Sequence, residues 1–143
     1  MKKIEILLVE DNEGDIVLTT EAFEECEFNS NINVARNGKE ALNYLSLEEG
    51  RAEVELPDLI LLDINLPLLN GHEVLQHIKQ NERTKHIPVI ILTTSSSSND
   101  INATYNNQAN CYITKPADIN DFFDVINSLG KFWFKIAKLP TLR

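Results

Sequence analysis

The sequence predicts an α/β domain built on one open, doubly wound, five-stranded parallel sheet. Short runs rich in Ile, Leu and Val recur along the chain without strict apolar–polar alternation, as strands buried on both faces do. Segments with apolar residues at helical spacing lie between them, so right-handed crossovers wrap helices over both faces. A third observation says where the chemistry lies. The runs 4–9, 59–62, 89–92 and 111–113 lead into Glu10-Asp11, Asp63, Thr93 and Lys115. Sheets of this kind bind ligands outside the carboxyl ends of their strands, so these groups are expected together at one edge.

The elements follow in order. Residues 4–9 are the first strand, and 15–26 read as a helix with Ile16, Thr19, Thr20 and Phe23 on one face. Residues 32–35 form a short strand, Asn37-Gly38 breaks the chain, and 39–47 read as a helix with Ala41, Leu42 and Leu45 inward. An acidic loop spans 48–57 and a third strand 58–62. Helix 71–80 carries Val74, Leu75 and Ile78 at core spacing, and strand 88–92 follows. Residues 98–107 read as a polar helix, 111–113 as the fifth strand, and Asp118 opens the last helix. The segment Ser95–Ser98 is expected to be a solvated loop and helix cap. The last helix carries Phe122, Val125, Ile126, Leu129, Phe132, Trp133 and Ile136 at one spacing of three and four, running past Gly130. That much aromatic surface predicts a partner or homodimer surface through the C-terminal helix and tail; the competing reading folds the extension back on its own domain.

Bulk properties narrow the function. A chain of 143 residues has the size of one domain. Its net charge of −9, from 22 acids against 13 bases, argues against general nucleic-acid binding, which needs a basic patch. No apolar run approaches the ~20 residues of a membrane span. Met1-Lys2-Lys3 leads into a strand containing Glu5 rather than into a signal peptide. Cys26 and Cys111 show no zinc spacing and are expected to be free and inert, Cys111 as a small buried residue, which suits a reducing cytoplasm. His72, His77 and His86 show no ligand or triad spacing and read as surface residues.

The strand-end groups suit phosphoryl chemistry. Asp63 opens the turn 63–71, where Pro67 fixes a dihedral and Gly71 is expected to supply conformational freedom. A carboxylate there can be a nucleophile toward phosphorus, provided a cation offsets the mutual repulsion. Mg²⁺ takes oxygen ligands and keeps several waters. Asp11 and Asp63 would supply carboxylates, Glu10 would bind directly or through water, and the Asn65 backbone carbonyl is a further ligand. Lys115 and the Thr93 hydroxyl would pair with phosphate oxygens.

These residues resemble the receiver domain of bacterial two-component response regulators. The match runs from Lys3 to Leu129 through Leu7-Leu8-Val9-Glu10-Asp11-Asn12, Leu61-Leu62-Asp63 with Pro67 and Gly71, Pro88-Val89-Ile90-Ile91-Leu92-Thr93 and Tyr112-Ile113-Thr114-Lys115-Pro116. The resemblance implies a flavodoxin-like fold with strand order 2-1-3-4-5. It implies phosphotransfer from the phosphohistidine of a sensor histidine kinase to Asp63, and a switch role for Thr93 and Tyr112. It also implies a Lys115-Pro116 bond that is often cis. Thr94 and Ser95, following Thr93, depart from the usual pattern and are expected to affect access and hydrolysis rate. Residues 1–130 would be the receiver and 131–143 a helical extension and tail. The tail, with Phe132-Trp133 and Ala137-Lys138-Leu139-Pro140, and the long acidic loop resemble stand-alone regulators serving phytochromes, which implies a phytochrome-type kinase.

The expected function is therefore a phosphoacceptor signalling protein that assists its own phosphotransfer and dephosphorylation rather than a dedicated enzyme. An aspartyl-phosphate phosphatase is disfavoured because Asn65 stands where its general acid is needed and there is no room for a cap domain. A receiver-like scaffold working without phosphorylation is disfavoured by the intact acid set. Only residues 130–143 follow Leu129, too few for a DNA-binding output module, so output is expected through protein contacts.

Overall fold

The apolar runs form β1 (Ile4–Val9), β2 (Ser30–Ala35), β3 (Leu59–Leu62), β4 (Val89–Thr93) and β5 (Cys111–Thr114). They pair in the order β2-β1-β3-β4-β5, every pair parallel, as expected. The structure is a computed structural model and describes residues 3–26, 28–45 and 55–140. β3 and β4 are buried along their whole length, while the edge strands β2 and β5 are mostly half-exposed, so β2 tolerates Asn31 and Asn33.

Side-chain alternation assigns each helix to a face. Leu7, Val9, Ile60, Leu62, Val89 and Ile91 point to the face covered by α2 (Gly38–Tyr44) and α3 (Gly71–Gln80). Ile6, Leu8, Leu59, Leu61, Ile90 and Leu92 point to the face covered by α1 (Glu13–Glu25) and α5 (Ile119–Gly130). The α4 helix (Ser98–Asn106) buries only Thr104, in keeping with its polar sequence.

The differences from the sequence reading have local causes. Each helix starts at a side-chain cap: Asn12, Asn37, Asn70, Ser97 and Asp118 each accept a backbone N–H from the first turn. Asn12 therefore starts α1 two residues before the expected position. β2 likewise begins two residues early, because its polar positions hydrogen-bond in the ladder regardless of side chain. The end of the expected helix 39–47, and residues 48–54 of the acidic loop, lie outside the described residues. Cys26 and Cys111 are both free, and Cys111 is half-buried rather than buried.

The C-terminal stripe does not keep one spacing. From Lys131 to Ile136 the chain widens into a π-helical turn, closed by Ala137 N–H donating to Phe132 O (2.6 Å). The wider turn rotates the side chains away from the α-helical register. Phe132 and Ile136 become exposed (49% and 69%), while Trp133 and Phe134 turn onto the α1–α5 core. Phe134 meets the Phe28 ring edge-on at 5.2 Å and lies 6.1 Å from Phe23. Gly130 admits this packing, since a Cβ there would lie 2.7 Å from Phe28 Cδ2. The extension thus folds back in part and leaves two apolar side chains outside.

Candidate functional site

The sheet ladder itself assembles the site. One rung beyond the strand ends, Glu10 N–H donates to Ala35 O (3.0 Å), Asp63 N–H to Val9 O (3.0 Å) and Lys115 N–H to Thr93 O (2.7 Å). Glu10, Asp63, Thr93 and Lys115 are therefore brought to one edge, with Asp11 beside them. Asp63 is 7% exposed and Thr93 fully buried.

Lys115 is the electrostatic centre. Its side chain is only 5% exposed, and its ammonium contacts three carboxylates: Glu10, Asp15 (2.9 Å) and Asp63 (3.4 Å). Burial alone would lower its pKa, but the hydrogen bonds it donates to Glu10 and Asp15 and the charges of Glu10 and Asp63 outweigh it and hold it above the usual lysine range. Burial pushes the Glu10 carboxyl up to about 7, against the pull of the same ammonium. No described peptide bond is cis, so Lys115–Pro116 departs from the expectation of a cis bond. The lysine is aimed inward by its own ladder hydrogen bond and its three anionic partners.

The loop from Asp63 to Gly71 is folded tightly against the acid. Asn65 N–H donates to Asp63 Oδ1 (3.3 Å), and Gly71 N–H returns to Ile64 O (2.8 Å). Leu69 N–H donates to Pro67 O (2.9 Å) across Leu68, whose φ of 69° makes a γ-turn and leaves its side chain 77% exposed. Gly71 is required, but not for conformational freedom. It lies so close to the loop that a Cβ would meet Asp63 O and lie 2.6 Å from Ile64 Cα.

A polar chain links Thr93 to the helices. Ser95 N–H donates to Thr93 Oγ1 (3.4 Å) and the Tyr112 hydroxyl donates to Ser95 O (2.8 Å). Ser95 Oγ donates to Asp100 Oδ2 (2.6 Å), and His72 Nε2 meets Asp100 Oδ1 (2.9 Å), tying α3 to α4. The Ser95 and His72 hydrogen bonds hold the Asp100 carboxyl below its usual range. Sequence reasoning missed Asp15 as a partner of Lys115 and read His72 as a plain surface residue. Asp15 had a faint signal, as an acid four residues after Asp11; the Asp100–His72 contact crosses between helices and had none.

Glu10, Asp11 and Asp63 each bring one carboxylate oxygen within 4.8 Å of the others. A donor set made only of oxygens fits a hard divalent cation such as Mg²⁺. Exposed Asp11 is the most available of the three, since the Glu10 oxygens accept from Lys115 and Asn12 N–H (3.1 Å) and those of Asp63 from Lys115 (3.4 Å) and Asn65 N–H (3.3 Å). No helix among the described residues is long and apolar enough to cross a membrane.

Comparison with known proteins identifies the family. Residues 6–127 match the response regulator receiver domain family. The chain is similar to the probable methanogenesis regulatory protein FilR2 of Methanothrix harundinacea, at 44% identity over 94% of this chain and 86% of that one. It is similar to the phosphorylated cyanobacterial phytochrome response regulator RcpA, with a TM-score of 0.92 and 41% identity over 98% of this chain and all (100%) of that one. It is also similar to response regulator Rcp1 of Synechocystis, at 38% identity over 94% of this chain and 92% of that one. The Mn²⁺-bound crystal structure of Rcp1 superposes with a TM-score of 0.89, covering 96% of this chain and 99% of that one. With its flavodoxin-like 2-1-3-4-5 sheet and strand-end acids, the chain belongs to the response regulator receiver family.

Proposed function

We propose that this protein is a stand-alone regulator whose Asp63 accepts a phosphoryl group from the phosphohistidine of a sensor histidine kinase in the cytoplasm. The observation that carries the reading is the buried Asp63 carboxylate, at the sheet edge within reach of Lys115 and grouped with Glu10 and Asp11. In the reaction an Asp63 carboxylate oxygen attacks phosphorus, the P–N bond breaks, and the imidazole nitrogen keeps the electron pair. Lys115 offsets charge on the phosphoryl oxygens. Asp11, Asp63 and the Asn65 carbonyl would hold Mg²⁺, with Glu10 acting by charge or through water. The cation when bound lowers the repulsion between acceptor and phosphoryl anion.

Thr93 and Tyr112 form the switch in this reading. The new phosphoryl oxygens draw the Thr93 hydroxyl away from Ser95 N–H. Tyr112, bonded to the same loop through Ser95 O, then changes position. The partner surface surrounds the acceptor. A cleft of about 220 Å³ lined by Leu18, Thr94, Lys115, Pro116, Ile119 and Phe122 opens beside Lys115, and Ile119 in its lining is exposed. Likeness to RcpA supports a phytochrome-type kinase. The 44% identity to FilR2 favours a second reading, a histidine kinase with another input. Phosphotransfer profiling against both kinase types separates them.

The class is tested by incubating the protein with phosphoramidate and Mg²⁺ and measuring intact mass. One added phosphoryl group is expected for the wild type, and none for Asp63→Asn or when Mg²⁺ is chelated. A wild type that gains no mass rejects the reading.

In the same proposal residues 1–130 are the receiver and 131–143 an extension whose exposed Phe132 and Ile136 pair two copies of the chain. Sedimentation over a concentration range is expected to show a dimer that Phe132→Ser with Ile136→Ser dissociates, without loss of the monomer fold. A wild type that stays monomeric at high micromolar concentration, phosphorylated or not, contradicts the pairing.

A further inference from the structure

We propose that Asp15 is a positioning residue, which holds the Lys115 ammonium in the resting protein and sets how readily it is released to a phosphoryl group on Asp63. The inference rests on the reading of Asp63 as phosphoacceptor. An ammonium has three N–H donors. All three have acceptors here: Glu10, Asp15 at 2.9 Å and Asp63 at 3.4 Å. The contact to the acceptor is the longest, so resting Lys115 is held more closely by its other two partners than by the group it would serve.

A phosphoryl oxygen that pairs with Lys115 must displace one of these bonds. Glu10 is 2% exposed, and among the described residues the other hydrogen bond to its carboxylate comes from Asn12 N–H. Releasing it would strand a buried carboxylate, which is costly. The contact to Asp63 passes to the phosphoryl group, but at 3.4 Å it is the longest of the three, so the ammonium must move toward the acceptor and loosen one of its closer partners. Asp15 is different. Its side chain is 28% exposed on the first turn of α1 and lines the open cleft, so water can take the place of Lys115. Asp15 is the partner that lets go. Its charge, on the same ammonium that Asp63 contacts, also opposes an anionic phosphodonor drawn to Lys115. Both effects have one sign: Asp15 restrains acceptance.

The test is the rate of phosphoryl gain from phosphoramidate with Mg²⁺, followed by intact mass at several donor concentrations. Asp15→Asn and Asp15→Ser are expected to raise the maximal rate about threefold or more, the size of one partly exposed charge interaction. Asp15→Glu, which keeps the anion, is expected to stay near the wild type. Glu13→Gln controls for net charge: it removes an acid from the same helical turn that is paired with Arg36 instead of Lys115. Unchanged rates in both Asp15→Asn and Asp15→Ser, or an equal rise in Glu13→Gln or Asp15→Glu, overturn the role of Asp15 while leaving the phosphoacceptor reading intact. A wild type that never gains phosphoryl mass overturns both.

Discussion

Lys115→Met is expected to destabilise the protein by roughly 3–5 kcal/mol, the loss seen when one member of a buried ion pair is removed. The size follows from what stays behind. Glu10, Asp15 and Asp63 all contact the ammonium, and Glu10 and Asp63 are buried, so the variant keeps the desolvated carboxylates without their cation. The variant has one escape, protonation of Glu10, whose carboxyl burial already raises to about 7 from an ordinary 4.5. A group with a raised folded-state pKa loses stability as pH rises through that interval. The deficit of Lys115→Met should therefore be smaller at pH near 6 than near 8. Mg²⁺ should recover part of it, since the cation binds the folded acid cluster. In the wild type the lysine contributes fully below its ordinary pKa of 10.5 and fades only as pH rises through the higher folded value, an alkaline limb the variant lacks. Urea midpoints at the two pH values, with and without Mg²⁺, check this. A loss under about 1 kcal/mol, independent of pH, contradicts the account.

Gly71→Ala has the second largest expected effect, because the added methyl meets backbone rather than a flexible side chain. Its Cβ would strike Asp63 O and lie 2.6 Å from Ile64 Cα, so the turn carrying Asp63 must shift. Overpacking of this kind costs about 1–3 kcal/mol. The functional loss should exceed the stability loss, because a displacement of about 1 Å at a reacting group slows reaction by roughly a hundredfold. Thermal unfolding and the rate of phosphoryl gain, measured on the same preparation, test this. A stable variant that accepts phosphate at the wild-type rate would show that the loop does not position Asp63.

The meeting of Asp63, Lys115 and Thr93 was legible because a parallel ladder carries the residues at each strand end to the same edge, whatever the loops do. The sheet order came with the resemblance, and the two-sided burial of its centre from apolar runs such as Leu59–Leu62. Cap chemistry was underused: Asn12, Asn37 and Asn70 mark their helix starts to the residue. Other features depend on contacts between distant segments. Asp15 reaches Lys115 across a hundred positions, and Asp100 links His72 to Ser95 only once α3 and α4 lie side by side. Gly71 was legible as necessary but for the wrong reason, since proximity to Asp63 is tertiary information. The C-terminal stripe misled because helical spacing assumes an unbroken α-helix. The π-turn at Lys131–Ile136 exchanges Phe132 for Phe134 at the core, an outcome set by the Phe23 and Phe28 rings.

The phosphoryl group is expected on the Asp63 carboxylate. Borohydride reduces an aspartyl phosphate to homoserine, so the modified residue can be read directly by peptide mass spectrometry after phosphorylation, reduction and digestion. The account predicts homoserine at position 63 alone, and none when Mg²⁺ is chelated or phosphodonor is omitted. Homoserine at Asp11 or Asp15, or phosphate recovered instead on His72 or Ser95, would contradict it.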